Sequence, residues 1–442
     1  MFWKIFCGAS LLLFTGFLCA DEKAESAGAK PVEKSAAAVS PSSARDILKN
    51  DVHGFQALRE FLVVLSIVRQ TYIDEEKTGW EYLLKAALRG MLKEMDPYSA
   101  YESEEIFRET QVETNGEMAG IGVVVVLKNR ILEIMEIYPG GPSDKAGLKP
   151  GDLIMEIDGE PLDGKSMKEC VKMLRGKPGE KVKVKVYRGS DDSTRDVELT
   201  RAILTIHSVT GAKIIDKDSG LAYMRITQFS ANTCKEMDSA LAQLKKDGMK
   251  MLIVDLRNNP GGLVASSAQI CSRFLAPGKK IVSIEGRNKK DNKVFVSEKC
   301  TNFPDMPVVL LVNGNSASAS EIMTACLQDH KRAVVIGEHT FGKGVVQVII
   351  PFGSKEALRI TNARYFTPSR RIIHENGIEP DIVVPITNAA RFRIAAQMNQ
   401  YPGIVKPLAP NTIEDIQLKR ACDVLKAVSV FQSSRTPESN QK

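Results

Sequence analysis

The chain is poor in the residues that build metal centres, with five histidines in 442 residues and no Cys-x-x-Cys pair. A structural zinc needs four closely spaced thiolate or imidazole ligands, so no zinc site is expected, and no motif asks for a cofactor. Charge of one sign is equally scarce. The formal net charge is +6, and the lysines of the cluster Lys289, Lys290 and Lys293 have no aromatic residues between them. That cluster reads as a solvated loop and not as a nucleic-acid groove. Of the eight cysteines, Cys7 and Cys19 fall in an N-terminal apolar run; the others are Cys170, Cys234, Cys271, Cys300, Cys326 and Cys422. Those inside apolar segments, such as Cys271 and Cys326, read as small buried hydrophobes.

What is present is ordinary globular composition, 43% hydrophobic and 26% charged, over a length that suits about two to four domains. Lys4, the apolar run 5–19, Ala20 and then Asp21-Glu22-Lys23 form the pattern of a secretory leader over 1–20. Export follows, to the periplasm in a Gram-negative type of cell. Membrane association is expected only if that leader stays uncleaved. Phe17-Leu18 precede Cys19 where lipidation would want a small residue, so a lipid anchor is disfavoured. Residues 21–50 are Ala, Ser, Lys, Glu and Pro with few large apolar side chains, and read as a flexible linker.

Apolar residues then recur at helical spacing (Leu58, Phe61, Leu62, Leu65; Leu84, Leu88, Met91, Leu92), predicting an N-terminal helical region over 51–115 whose helices each bury one stripe. Asp96-Pro97 ends the second of them. Over 116–202 short strand-like segments (121–127, 131–137, 153–157, 182–187) surround one helix, 166–174, and make a small separate domain. From 203 to 386 strands (221–226, 251–256, 308–312, 333–336, 345–350, 358–365) alternate with helices (231–245, 264–274, 316–330), as a layered α/β core requires. The segment 387–442 is polar, then helical around 415–428, then a tail.

Two buried strands run into glycine- or serine-rich turns. After 251–256 comes Arg257-Asn258-Asn259-Pro260-Gly261-Gly262-Leu263, whose glycines leave backbone N–H groups open toward a developing negative charge. After 308–312 comes Asn313-Gly314-Asn315-Ser316-Ala317-Ser318-Ala319-Ser320-Glu321, a strand-turn-helix that lifts a hydroxyl to a helix start. Helix capping also accounts for these serines, since Ser318 and Glu321 have the spacing of a capping box. Phe341-Gly342-Lys343-Gly344 tilts the balance toward chemistry, because a desolvated lysine, its pKa lowered by up to about 3–5 units from about 10.4, can act as a base near neutral pH. His330 and His339 lie near these segments without an orienting carboxylate and read as structural.

The run 312–321, the segment Gly337-Glu338-His339-Thr340-Phe341-Gly342-Lys343-Gly344-Val345-Val346-Gln347, and Tyr365-Phe366-Thr367-Pro368-Ser369 followed by Gly377-Ile378-Glu379-Pro380-Asp381 resemble the carboxy-terminal processing peptidases, also called tail-specific proteases. Pro139-Gly140-Gly141-Pro142-Ser143, Ala146-Gly147-Leu148-Lys149-Pro150-Gly151-Asp152 and Ile157-Asp158-Gly159 resemble a bacterial PDZ domain. The resemblance covers roughly 55–428 and implies an α/β fold with a crotonase-like, Clp protease-like spiral core, an inserted PDZ domain and flanking helices. It implies Ser318 as nucleophile, Lys343 as general base and Gln347 as the residue that orients the lysine. The oxyanion hole would come from the N–H groups of Ala319 and Gly262, with Gly261 as the competing donor. His339 stands where the family has arginine, and Tyr98, in Asp96-Pro97-Tyr98-Ser99, where it has histidine. Neither departure is expected to touch the catalytic pair.

In the PDZ domain Gly120, Ile121, Gly122 and Val123 would offer backbone donors to a terminal carboxylate, and the strand starting there would pair with a peptide while Val171 and Leu174 wall the groove. Arg175, just beyond that helix, is either a coupling residue between groove and core or an exposed helix-end cation. The expected activity is that of a serine endopeptidase acting on proteins with free apolar C-termini; a second copy of the chain or an adaptor are further candidate partners. A non-catalytic binding protein or a PDZ scaffold on the same core are the alternatives. Intact Ser318, Lys343 and Gln347 speak against both.

Overall fold

A computed structural model describes residues 51–433, apart from 129, 301, 302, 304, 354, 401, 402 and 404–411. The expected leader 1–20, the linker 21–50 and the tail beyond Ser433 lie outside the described residues. Helical periodicity in the N-terminal region yields α1 (Val52–Thr71) and α2 (Trp80–Met95), but the expected buried stripes do not form: α1 buries no residue and α2 only Leu92. Periodicity reports an apolar face, not what covers it. Asp96 ends α2, and its carboxylate accepts the N–H groups of Tyr98 and Ser99 and the Ser99 hydroxyl at 2.7 Å each. That tight turn leads into β1 (Ala100–Glu102) and α3 (Glu104–Thr114).

Strand β2 (Glu117–Gly120) opens the next unit, which continues through β3 (Val123–Lys128), β4 (Ile131–Ile137), α4 (Pro142–Lys145), β5 (Leu153–Ile157), β6 (Glu160–Pro161), α5 (Met167–Leu174), β7 (Lys181–Arg188) and β8 (Ser193–Thr200) to β9 (Ala202–Thr205). Strands β2 and β9 pair antiparallel, so the chain enters and leaves through one two-stranded ribbon. The sheet between runs β3-β4-β5-β7-β8, with β6 on β5. Alternation along β7 (Val182, Val184, Val186 inward; Lys181, Lys183 outward) gives this sheet its own core with Leu132, Ile134 and Ile154.

The α/β core comprises β10 (Val209–Asp216), β11 (Leu221–Ile226), α6 (Thr233–Lys246), β12 (Met251–Asp255), α7 (Val264–Cys271), β13 (Lys280–Gly286), β14 (Lys293–Val296), β15 (Val308–Val312), α8 (Ala319–Asp329), β16 (Val334–Gly337), β17 (Val345–Phe352), β18 (Glu356–Phe366) and β19 (Ile382–Val383). The main sheet is ordered β10-β11-β12-β15-β16-β19, parallel except for β10. Every residue of β11, β12 and β15 is buried. Continuous apolar strands of this kind need cover on both faces. Helices α6, α7 and α8 supply one cover through Leu241, Ile270 and Ile322. After α9 (Asn388–Gln400), the other comes from α10 (Ile416–Ser433), whose Leu418 and Leu425 pack on Tyr223, Ile253 and Leu311.

A second, antiparallel sheet, β1-β18-β13-β14 with β17 also on β18, stands beside the first. Because Ala100 pairs with Arg359 and Tyr101 with Leu358, the N-terminal region is woven into it. Strands 131–137, 153–157, 221–226 and 308–312 fall where the pattern predicts. Strands β8, β10, β13 and β14 and helix α9 were not anticipated. Lys293, read as part of a loop, opens the edge strand β14, although the cluster's lysines are solvent-exposed as expected. All six described cysteines are free, and Cys271 and Cys326 are buried.

Candidate active site

Strand β15 ends in full burial at Val312, and the next turn raises Ser318 to the start of α8 with φ 56° and ψ −114°. Such a conformation costs a non-glycine residue about 1–3 kcal/mol and persists only when its surroundings enforce it. They do so here. The Ala317 N–H donates to the Asn259 carbonyl at 3.0 Å. Ser316 and Ser320 are fully buried, and their hydroxyls donate to the carbonyls of Leu256 (2.8 Å) and Asn259 (3.0 Å). Of the three clustered serines only Ser318 is half-open.

The loop after β12 packs directly on Ser318. Gly261 (φ 102°) has no room for a side chain, since a Cβ there would stand 2.8 Å from Ser318 Cβ and 2.9 Å from the Ala319 nitrogen. The Gly261 N–H already donates to Asn259 Oδ1 at 2.9 Å. The Gly262 N–H has no acceptor among the described residues, and neither does that of Ala319, a first-turn helix amide with no intrahelical partner. Of the two competing glycines, Gly262 is thus the one with a donor to offer.

Arg257, the first residue of this loop, is buried with a full set of partners. Its guanidinium donates to Asp255 Oδ2 at 2.7 Å, to both oxygens of Asp415 at 3.0 and 2.8 Å and to Gln417 Oε1 at 3.1 Å. Burial works against the Asp255 charge, but Arg257 prevails and holds that carboxyl below the usual carboxylate range. The segment leading into α10 therefore fixes the loop after β12 across 158 residues of sequence. Asp-Leu-Arg at the end of an apolar strand signals that a buried partner must exist. Nothing local names it.

Lys343 sits in the turn before β17. Burial lowers its amine below the ordinary lysine value, Arg359 pushes the same way, and Asp96 opposes both. Its Nζ lies 4.9 Å from the centroid of the Tyr98 ring. The expectation that Tyr98 stays clear of the pair is therefore wrong: the strand pairing of β1 with β18 carries its turn over Lys343. No hydrogen bond joins Lys343 Nζ to Ser318 Oγ among the described residues.

The Ser318 and Lys343 turns are nevertheless held together by two side chains that sequence reasoning did not single out for this role. The fully buried Glu321 carboxylate accepts the Ser318 N–H (2.8 Å) and Lys343 N–H (2.8 Å) on Oε2, and the Gly342 N–H (2.7 Å) and Thr340 hydroxyl (2.5 Å) on Oε1. The Tyr365 hydroxyl, also buried, lies against the carbonyls of Ser318 (3.2 Å) and Lys343. Both residues thus have N–H and C=O tied to the same pair of groups. Glu321 was read only as a capping partner.

Gln347 does not follow from simple alternation along the strand. Lys343 precedes β17 by two residues, and a register shift falls between Val346 and Gln347. The Gln347 amide donates to Thr361 Oγ1 at 3.4 Å, and that hydroxyl donates to Asp96 Oδ1 at 3.2 Å. His330 and His339 each face a backbone carbonyl, of Lys280 and Thr340 respectively.

In the smaller unit β3 is an edge strand, open on one side, and Cys170 and Leu174 of α5 share a hydrophobic core with its Val123, Val125 and Leu127. Residues 118–120 form the ribbon with β9, so Gly120, expected as a backbone donor to a terminal carboxylate, is paired with Ala202. Ile121 and Gly122 (φ 80°) make the turn, with carbonyls that accept from Ser143 and Tyr138, and Val123 opens the edge strand. Ile121 and Leu174 are buried in the unit's core, and Val171 is half-buried. Arg201, not singled out from sequence, clamps the last turn of α5 by donating to the carbonyls of Met173 (2.9 Å) and Leu174 (3.3 Å). Arg175 pairs with Glu113 of α3 at 3.1 Å beside a cavity of about 190 Å³ lined also by Val112, Met118 and Ile203.

The profile of peptidase family S41 matches residues 220–384, and that of the PDZ domain matches 133–188. A carboxy-terminal-processing protease of Bartonella bacilliformis is 35% identical over 342 residues, covering 76% of this chain and 76% of that protein. A probable CtpA-like serine protease of Staphylococcus haemolyticus is 33% identical over 74% of this chain, which spans 64% of that protein's length. Among solved structures, the photosystem II D1 C-terminal processing protease aligns with TM-score 0.44 and 27% identity over 73% of this chain and 92% of that one. The chain belongs to peptidase family S41, as a carboxy-terminal-processing serine protease with a mixed α/β peptidase core and a PDZ domain.

Proposed function

We propose that this protein is an exported endopeptidase that cuts protein substrates recognised at their free, apolar C-terminal end. Ser318 is the nucleophile and Lys343 the base. The neutral amine takes the Ser318 proton as Oγ adds to the scissile carbonyl, and the oxyanion meets the N–H groups of Gly262 and Ala319. The ammonium then protonates the leaving amine, and the acyl-enzyme is hydrolysed by water that gives its proton to the same lysine. Gln347, linked to Asp96 through Thr361, orients the lysine side of the site. The observation that carries this reading is the shared mount: Glu321 and Tyr365 hold the Ser318 and Lys343 backbones side by side.

For recognition, a substrate terminus adds as a strand to the open edge of β3, with its carboxylate at the turn 120–123 and its last side chain toward Val171 and Leu174. Arg175, through Glu113, couples the groove helix to α3. The test uses the chain without its leader and unstructured proteins of one sequence with free-acid or amidated apolar termini, products being identified by mass spectrometry. Ser318→Ala and Lys343→Ala should each lower cleavage by about 10³-fold or more, with the double variant no worse. Amidation should slow the wild type by about tenfold. Substantial activity in either single variant would sink the Ser-Lys assignment. Equal rates on the two termini would sink recognition of the end.

A further inference from the structure

Tyr98, in the turn Asp96-Pro97-Tyr98-Ser99, takes no part in the chemistry proposed above, yet its ring lies against the base. We propose that this turn is the seat on which Lys343 rests as an ammonium ion, and that Tyr98 and Asp96 are positioning residues setting the pH at which the base becomes free. The inference rests on the reading of Lys343 as base. Its Nζ stands 4.9 Å from the Tyr98 ring centroid, within the range where the negative face of an aromatic ring attracts a cation. Among the described residues the amine makes no hydrogen bond to Ser318 Oγ, and the Tyr98 ring is the contact seen at it. To act as base it must give up its proton and meet the serine hydroxyl.

The seat is rigid for local reasons. Asp96 accepts three hydrogen bonds from its own turn and a fourth from the Thr361 hydroxyl of β18, while the Thr361 N–H donates to Ser99 Oγ at 3.1 Å. The turn therefore moves with the sheet that carries Gln347 and Arg359. The groups that face Lys343 have opposing effects. The π-face of Tyr98 and the charge of Asp96 favour the ammonium, whereas Arg359 and burial favour the neutral amine. Glu321 holds the lysine's backbone, and His374 and Glu375 pack against Gly344 and Gly342 on either side of Lys343, the His374 ring centroid 6.3 Å from that of the tyrosine.

The signs follow. A variant that removes the aromatic face but keeps an apolar cover takes support from the ammonium and lets activity rise at lower pH. Tyr98→Leu should move the midpoint of the kcat–pH limb down by about 0.5–1 pH unit, and Tyr98→Phe, which keeps the ring, by less than about 0.3 unit. Asp96→Asn should also move it down, and Arg359→Gln up. A carbon-13 titration of the Lys343 ε-methylene in Ser318→Ala reads the same midpoint without catalysis. The proposal falls if Tyr98→Leu leaves both midpoints in place or, should that variant not fold, if Asp96→Asn does. If Lys343→Ala stays active, it is the base assignment that fails, whatever the titration shows.

Discussion

The sequence places a glutamate three residues after a serine at Ser99–Glu102, at Ser166–Glu169 and at Ser318–Glu321, and the last two of these open a helix. At the groove helix α5 the motif is an ordinary capping box: Ser166 is extended (φ −74°, ψ 159°), Glu169 Oε2 accepts its N–H and hydroxyl at 2.7 Å, and the Glu169 N–H returns to Ser166 Oγ at 3.3 Å. At the core helix α8 the carboxylate again accepts the serine N–H, but it is fully buried and also takes three donors from the Lys343 turn. Ser318 itself is on the positive-φ side, outside the extended conformation of a cap. The same four-residue pattern is a cap in water and, in the core, a mount for the two candidate catalytic residues. Local sequence sets the bond between serine and glutamate; what else reaches the carboxylate decides its use.

Glu321→Gln breaks that comparison most sharply. Glutamine keeps the volume but presents an amide donor on one side, and either orientation points it at an N–H of Ser318, Gly342 or Lys343. Leaving buried donors unpaired costs about 1–3 kcal/mol each, so kcat should fall by about 10²-fold or more with KM little changed. Glu169→Gln, its exposed counterpart, should alter kcat by less than about twofold. Equal small effects of the two would return Glu321 to the status of a simple cap.

The loop facing Ser318 is fixed from farther away, and Asp415→Asn tests that attachment. The change leaves Arg257 buried with Asp255 as its remaining carboxylate. Breaking a buried pair of this kind costs about 3–5 kcal/mol, which a urea unfolding midpoint will show. Because the Asp255 carboxyl is held below its ordinary value, the stability it contributes is present above about pH 4 and is lost as pH falls through the depressed value. An unchanged urea midpoint in Asp415→Asn would mean that α10 covers the sheet without holding the loop.

Most of what was legible in the sequence is local. The buried strands β11 and β15 show as apolar runs, and the turns after β12 and β15 announce themselves through Gly261-Gly262 and the serine cluster. Which serine stands open was left between capping and chemistry by the residues alone, because the hydroxyls of Ser316 and Ser320 are taken by carbonyls of a loop some 60 residues away. Tyr98 illustrates the harder case. Its position over Lys343 depends on the pairing of β1 with β18, a contact across more than 250 residues that no periodicity encodes. The same holds for Asp415 and Arg257. For α1 the failure runs the other way, since an apolar stripe was visible and its burial was assumed.

The smallest effect expected is at the copy of the motif that opens α5. Ser166→Ala removes the hydroxyl that accepts the Glu169 N–H and donates to its carboxylate, so the first turn of α5 should fray. The far end of the helix is not released, because Arg201 still holds the carbonyls of Met173 and Leu174. Val171 and Leu174, the groove-facing candidates, lie in that clamped half. A labelled peptide with a free apolar terminus should therefore bind less tightly by no more than about fivefold in fluorescence anisotropy. The rate at saturating substrate should not change, because no bond of this box reaches the core. A loss of kcat comparable to that of Glu321→Gln would mean that the groove helix carries its disorder into the catalytic sheet, and the contrast between the two boxes would be lost.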